Sequence, residues 1–306
     1  MKLNKVDHIK ISKGMKVSEL VEAMNKSGVM GAGKIGDASQ IFVDMIGDKE
    51  CKIFLGCAGA LVPGGMREII IDMLENGKID VFVCTGATLT HDLVEALGFN
   101  HYKGHHLMDD VELNKEGYDR MYDSLMPNNV YETIEKFLDK NIDLFTNKRM
   151  NIKEFLFLIG SLVENRSILK TCFDKKIPVF CPAIADSGIG LMIWGQLCKN
   201  KNIQVDVFDD LKEIIDIAWT SKKSGVIYLG GGTPKNYIQQ AMQFSKGADY
   251  GIQITTDRPE PGGSSGAPLK EGISWGKLHE KSKYVDVFCD VTIALPLIWG
   301  YVKDKI

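Results

Sequence analysis

The residues of this 306-residue chain best suited to chemistry are small or polar ones that close short apolar runs. They are Gly56-Cys57-Ala58-Gly59, Thr85-Gly86-Ala87, Asp186-Ser187-Gly188, Gly230-Gly231-Gly232, Thr255-Thr256-Asp257 and Asp290. Small residues let backbone N–H groups approach a phosphate, and the N-terminus of a following helix favours negative charge. A single loop of this kind reads equally well as a glycine turn. The recurrence of the pattern argues for a shared ligand-binding edge.

Other residues carry two readings. His91 is either a proton carrier, since histidine titrates near neutrality, or a packing residue at the start of a helix. His101, His105 and His106 resemble a metal cluster on paper. They lack a cysteine or acidic partner at regular ligand spacing, so the three are expected to be solvent-exposed, with no metal site. Gly31-Ala32-Gly33-Lys34-Ile35-Gly36 spells the dinucleotide fingerprint GxGxxG. That motif has meaning only between a strand and a helix. The preceding VSELVEAMNKSGV has helical spacing, so these glycines read as a helix stop and a connector. Lys277, taken alone, is an ordinary loop lysine.

The elements that must position these residues follow from hydrophobic pattern. Runs at 51–59, 80–87, 177–183, 205–210, 225–232, 250–257 and 285–292 are short and rich in Val, Ile and Phe, which predicts buried strands. Helical spacing lies between them at 67–75, 92–97, 131–138, 154–164, 189–198, 210–219 and 236–244. Alternating strands and helices predict an α/β fold with a mainly parallel, Rossmann-like sheet and helices on both faces. Ligands then bind outside the carboxyl ends of the strands. No repeat or linker interrupts the chain. One domain over 1–306 is expected, with an N-terminal helical extension over 1–45.

Bulk properties narrow the class. The net charge is −3, with 25% charged and 44% hydrophobic residues, which is ordinary for a soluble globular protein and gives no basic excess for nucleic acid. The seven cysteines lack close pairing, and Cys84, Cys181 and Cys289 sit in apolar runs. Reduced, buried thiols in the cytoplasm are expected. The N-terminus has no signal-peptide core, and the apolar stretches at 155–163 and 294–302 are too short to span a membrane.

The C-terminal third is the most specific part. Ser265-Gly266-Ala267, then Glu271, then Ser274-Trp275-Gly276-Lys277 follow LGGG with Lys235 nearby and GADY at 247–250. FLG at 54–56, Arg67-Glu68, Thr85-Gly86, HDL at 91–93 and a PA pair before Asp186 extend the pattern upstream. On these motifs the chain resembles the deoxyhypusine synthase family over about residues 50–302, and the HDL run is like that of archaeal and bacterial members. The resemblance implies an NAD-dependent transferase. Spermidine is oxidised to an imine, and its aminobutyl fragment passes through a lysine imine to a lysine of the translation factor that becomes hypusinated. It implies Lys277 as the catalytic lysine. Cofactor contacts are implied at Gly59, Ala60, Thr85, Gly86, Asp186, Gly231, Thr256 and Asp290, and substrate contacts at His91, Gly262, Glu271 and Trp275. It also implies a homotetramer. A lysine nucleophile must be neutral to attack. Trp275 could wall the site and exclude water, and Glu271 could hold an ammonium. Helix capping is the alternative role for Asp186 and Asp290. Pro63 would suit the first turn of the helix after its loop.

The pattern departs from eukaryotic members where polyamine would bind. Thr90 and His91 stand for two glutamates, Leu191 and Ser264 for aspartates, and Asn236 for a histidine. A buried cation without a partner is costly, so the departures bear on which amine is used. Besides transfer to a protein lysine, two readings stay open: transfer to a small amine acceptor, of the homospermidine synthase type, and an inactive paralogue.

Overall fold

The computed structural model describes residues 3–306; Met1 and Lys2, the first residues of the expected N-terminal extension, lie outside the described residues. Helices α1 (Val17–Ser27) and α2 (Met30–Gly47) precede β1 (Cys51–Cys57), α3 (Arg67–Asn76), β2 (Ile79–Cys84) and α4 (Gly86–Ala96). Next come β3 (Tyr102–Lys103), α5 (Asp110–Glu116), β4 (Tyr118–Met121), β5 (Ser124–Pro127), α6 (Val130–Lys140) and β6 (Arg149–Asn151). They are followed by α7 (Ile152–Leu162), α8 (Ile168–Lys175), β7 (Val179–Phe180), α9 (Gly188–Cys198), β8 (Gln204–Asp206) and α10 (Phe208–Thr220). The chain closes with β9 (Lys223–Leu229), α11 (Gly232–Gln243), β10 (Ala248–Thr255), α12 (Glu271–Ser274), β11 (Leu278–Phe288) and α13 (Val291–Lys303). The central sheet has six strands in the order β11-β10-β9-β1-β2-β7. The pairings β1–β9, β9–β10, β10–β11 and β2–β7 are parallel, as the alternating pattern predicts.

By contact density the chain divides into two compact units. The first holds the residues up to Cys57 with Gly77–Val81 and Glu213–Ile306; the second holds Ala58–Asn76 and Phe82–Lys212. In the first unit, β1 and β9 bury nearly every side chain, which explains their unbroken apolar runs. Helices cover both faces. Gly225, which pairs with Ile53, has its open side against Met45 of α2, whereas Gly56 opens onto Ile238 of α11. Ile53 and Gly56 are three residues apart on one strand and so face opposite ways.

The GAGKIG stretch corrects an expectation. Its glycines are not a connector; they form the first turns of α2. The stop lies earlier, at Gly28, whose left-handed backbone (φ 67°) ends α1. A Cβ on Gly36 would sit 2.5 Å from the backbone of Asn25, and one on Gly33 2.7 Å from Gly28. The small residues therefore let α1 and α2 cross closely. Residues 3–12 have no regular structure, so the helices of the extension occupy 17–47. The apolar stretch at 294–302 belongs to α13, which buries Ala294, Leu295, Ile298, Trp299 and Val302.

In the second unit the expected strand at 205–210 is only β8. It pairs with β6 in a separate two-stranded sheet. Asp206 ends it by accepting the Phe208 N–H (2.8 Å), which starts α10. A three-stranded antiparallel sheet, β3-β5-β4, occupies residues 102–127, where no strand was expected. Cys57, Cys84, Cys172 and Cys181 are buried as expected, whereas Cys51 and Cys289 are half-buried and Cys198 is exposed.

Candidate active site

In the first unit the strand ends are in register: Leu229 beside Ile254, and Thr255 beside Phe288. Gly230-Gly231-Gly232, Thr256 and Asp290 therefore leave the sheet along one edge, as predicted from sequence. Gly231 is fixed by space. A Cβ there would lie 2.4 Å from the Cα of Ser265, and the Gly232 N–H donates to the Ser265 hydroxyl (2.6 Å). Gly266 is similarly confined, its missing Cβ lying 2.1 Å from the Arg258 carbonyl oxygen. Lys235, on α11, is 1% exposed, and its ammonium donates to the carbonyls of Ser264 and Ala267, both at 2.6 Å. Burial pulls its pKa down to about 8, against the attraction of Asp286 and Glu271. Gln253, buried on β10, donates to the Ser265 and Ala267 carbonyls. Residues 264–267 are thus clamped from two elements. Sequence alone noted Lys235 but not its depth.

This clamp leads into the short helix α12, which carries Glu271 at its start and Trp275 at its end. Gly276 then turns in the left-handed region (φ 68°), and the Lys277 N–H returns to the Gly272 carbonyl (2.8 Å). That turn folds Lys277 back so that Nζ lies 4.9 Å from the centre of the Trp275 ring, whose negative face attracts a cation. Trp275 is 57% exposed, so its ring flanks Lys277 from an open surface. Glu271, Thr256, Gly262 and Asp290 are also exposed. Asp290 caps α13, accepting from the N–H (2.7 Å) and hydroxyl (2.6 Å) of Thr292.

In the second unit Thr85 caps α4 through the Thr88 N–H (3.3 Å). The helix starts at Gly86, earlier than the expected 92. A Cβ on Gly86 would fall 2.5 Å from the Cβ of Ser187, so this residue brings the loops after β2 and β7 together. Ser187, not Asp186, caps α9, accepting the Gly190 N–H (3.1 Å), and Asp186 stays exposed. Gly59 and Ala60 lie exposed in the loop before α3, with Gly59 in the left-handed region (φ 84°). Pro63 sits in that loop's turn and not in the helix, because Gly65 (φ 81°) delays α3 until Arg67.

His91 meets partners that sequence did not reveal. Its Nδ1 is 2.9 Å from Nε2 of His101, and Nδ1 of His101 is 2.7 Å from a Glu95 carboxylate oxygen. Arg67 reaches both Glu95 (3.5 Å) and Asp92 (2.9 Å). Asp92 is fully buried; it also accepts the N–H groups of Ile168 (3.0 Å) and Leu169 (3.3 Å) at the start of α8. Burial raises the Asp92 pKa, opposed by Arg67. Burial, with the neighbouring His101, lowers His91 to about 4, so its ring is neutral near pH 7. His105 and His106 are exposed as expected, but the His101 side chain is only 6% exposed. The Gly98 turn (φ 97°) carries the chain back along α4 and buries it. Among the described residues no group of three His, Cys, Asp or Glu is arranged to hold a metal. A cavity of about 210 Å³ at the other end of the strands, lined by Lys222, Lys223, Asp249 and His279 among others, contains none of the predicted residues.

The deoxyhypusine synthase family model matches residues 19–302, which is nearly the whole chain. The chain belongs to the deoxyhypusine synthase family. It is 43% identical over 300 residues to the protein named "Probable deoxyhypusine synthase 1" of Methanosarcina acetivorans, covering 97% of this chain and 94% of that one. It is 41% identical over 300 residues to the protein of the same name in Archaeoglobus fulgidus, covering 96% of both. A solved Entamoeba histolytica structure that carries the deoxyhypusine synthase name superposes with a TM-score of 0.69. It covers 99% of this chain and 97% of that one at 21% identity, so it bears on the fold alone.

Among members of the deoxyhypusine synthase family, the eukaryotic pattern differs from this chain at positions whose local roles are now visible. Thr90 is a tie between helices: its hydroxyl donates to the Gly86 carbonyl (2.9 Å) and accepts the Ile189 N–H (3.2 Å). Leu191 is 54% exposed on the first turn of α9. Ser264 is exposed, with its carbonyl on Lys235, and Asn236 is half-buried beside that lysine on α11.

Proposed function

We propose that this chain is an NAD-dependent aminobutyl transferase that moves the butylamine part of spermidine through an imine on Lys277 to a lysine of the hypusine-bearing translation factor. The observation that carries the reading is the Ser-Trp-Gly-Lys turn of a deoxyhypusine synthase family member, which fixes the Lys277 amine against Trp275 at 4.9 Å. An imine exchange needs an amine nucleophile, and this turn presents one beside an aromatic ring at an open surface.

NAD suits the glycines and exposed polar residues at the strand ends. Gly231 and Gly86 occupy positions where any side chain would strike a neighbouring loop, so they let the loops at the strand ends pack closely. Gly59, Ala60, Thr85, Gly86, Asp186, Gly231, Thr256 and Asp290 would hold it. When bound it takes up hydride from the amine and later returns it. Lys277 Nζ attacks the imine carbon, the departing amine leaves with the electrons of the broken C–N bond, and the C=N bond re-forms to Nζ. The acceptor lysine repeats the exchange. Glu271 holds the distal ammonium, with His91 and Gly262 completing the amine contacts. The enzyme acts in the cytoplasm as a homotetramer. Among the described residues no helix is long and apolar enough to cross a membrane.

The test is NAD-dependent release of 1,3-diaminopropane from spermidine, with a gain of one aminobutyl mass on the acceptor. The expected result is a gain on the translation factor. Gain only on a small amine would replace the acceptor by the homospermidine-type one. No release with any polyamine would favour an inactive paralogue.

A further inference from the structure

The geometry points to Glu95 and His101 as a positioning pair that holds His91 as its Nδ1–H tautomer, leaving Nε2 bare to accept a proton from the substrate amine. The role of the substrate amine rests on the proposed function; the tautomer does not.

Counting protons along the chain of contacts fixes the tautomer. A carboxylate only accepts, so the 2.7 Å bond from His101 Nδ1 to Glu95 requires the proton on His101 Nδ1. A neutral His101 then has a bare Nε2. The 2.9 Å contact between that Nε2 and His91 Nδ1 holds one proton, which must belong to His91. Nε2 of His91 is left as an acceptor. The charged and titratable groups around the pair are Glu95 on α4, Arg67 on α3, buried Asp92 and His101 itself. Arg67 holds Glu95 from its other oxygen, so the carboxylate cannot turn away from His101. When His91 Nε2 takes the proton of an alkylammonium, the amine is left neutral, the form whose lone pair can form the C=N bond as hydride leaves the adjacent carbon. The positive charge on His91 then faces His101 and, through it, the Glu95 carboxylate. This is the orienting role a buried carboxylate plays for a catalytic histidine, lengthened by one ring.

Nitrogen-15 spectra of the imidazoles, with His91→Asn used to assign the signals, read the tautomer directly. The expected wild-type result is a protonated Nδ1 and an unprotonated Nε2 on His91 at neutral pH. His101→Phe keeps a ring in contact but removes the acceptor, and should shift His91 toward the Nε2–H form. Its kcat for amine-dependent NADH formation should fall roughly 10–100-fold, with NAD affinity unchanged in calorimetry. Glu95→Gln still offers an oxygen to His101 but no charge, so it should retain the tautomer and lose kcat. A wild-type Nε2–H tautomer would overturn the proposal even if His101→Phe fails to fold. So would an unaltered tautomer in folded His101→Phe, or full kcat in Glu95→Gln. If no amine reduces NAD and no adduct forms on Lys277, the transfer reading fails, while the spectra still decide the role of the pair.

Discussion

Lys277, Trp275 and His91 stood out as candidates through the motifs that hold them, Ser274-Trp275-Gly276-Lys277 and HDL at 91–93. Their partners did not, because those depend on chain reversals. His101 is buried beside His91 only because Gly98 adopts φ 97°, and Gly276 turns Lys277 onto Trp275 in the same way. The two aspartates also separate. Asp290 caps a helix, whereas Asp186 leaves that task to Ser187. His91 carries a pH signature. Burial depresses its pKa from 6.5 to about 4, so between those values the unfolded chain binds a proton that the folded chain refuses. The stability contribution is fully present above about pH 6.5 and is lost as pH falls through about 4, by at most roughly 3 kcal/mol. Urea unfolding of wild type and His91→Asn across this window should show a shallower loss in the variant. Parallel curves would contradict the buried, neutral ring.

At the scale of elements, apolar runs located the central strands well, since strands buried on both faces carry an unbroken hydrophobic signal. Short edge elements carry no such signal. The sheet at 102–127 and the two-residue β7 are set by turns and tertiary contacts. The glycines of α2 misled because glycine marks a stop in isolation, and here it permits a close helix crossing. The loop after β9 makes a sharper prediction. Gly231→Ala forces the Cα of Ser265, 2.4 Å from the new methyl, to move together with the 264–267 clamp. The cost should be about 1–3 kcal/mol in unfolding experiments. Calorimetry should show NAD binding lost or strongly weakened. Wild type should bind NAD more tightly than NADP, because an acidic residue near the ribose disfavours a 2′-phosphate. Unchanged NAD affinity in Gly231→Ala would remove that loop from the cofactor site.

For the whole molecule, composition shows no basic excess and no apolar stretch long enough to span a membrane, and it does not say which surfaces are used. Helix α9 offers a candidate. Leu191, Trp194 and Leu197 are exposed at three-residue intervals, an apolar stripe that a soluble monomer seldom leaves in water. With the proposed homotetramer, analytical ultracentrifugation should give four chains of 34.0 kDa each, and Trp194→Glu should yield smaller species. A wild-type monomer at micromolar concentration would contradict the assembly.

Borohydride trapping tests the covalent role of Lys277. Protein incubated with NAD and spermidine, reduced and digested, should carry one aminobutyl mass on the peptide containing Lys277. In Lys277→Arg the mass should be absent, since a guanidinium stays protonated and cannot attack. An adduct on a different lysine, or full transfer activity in Lys277→Arg, would remove Lys277 from the mechanism.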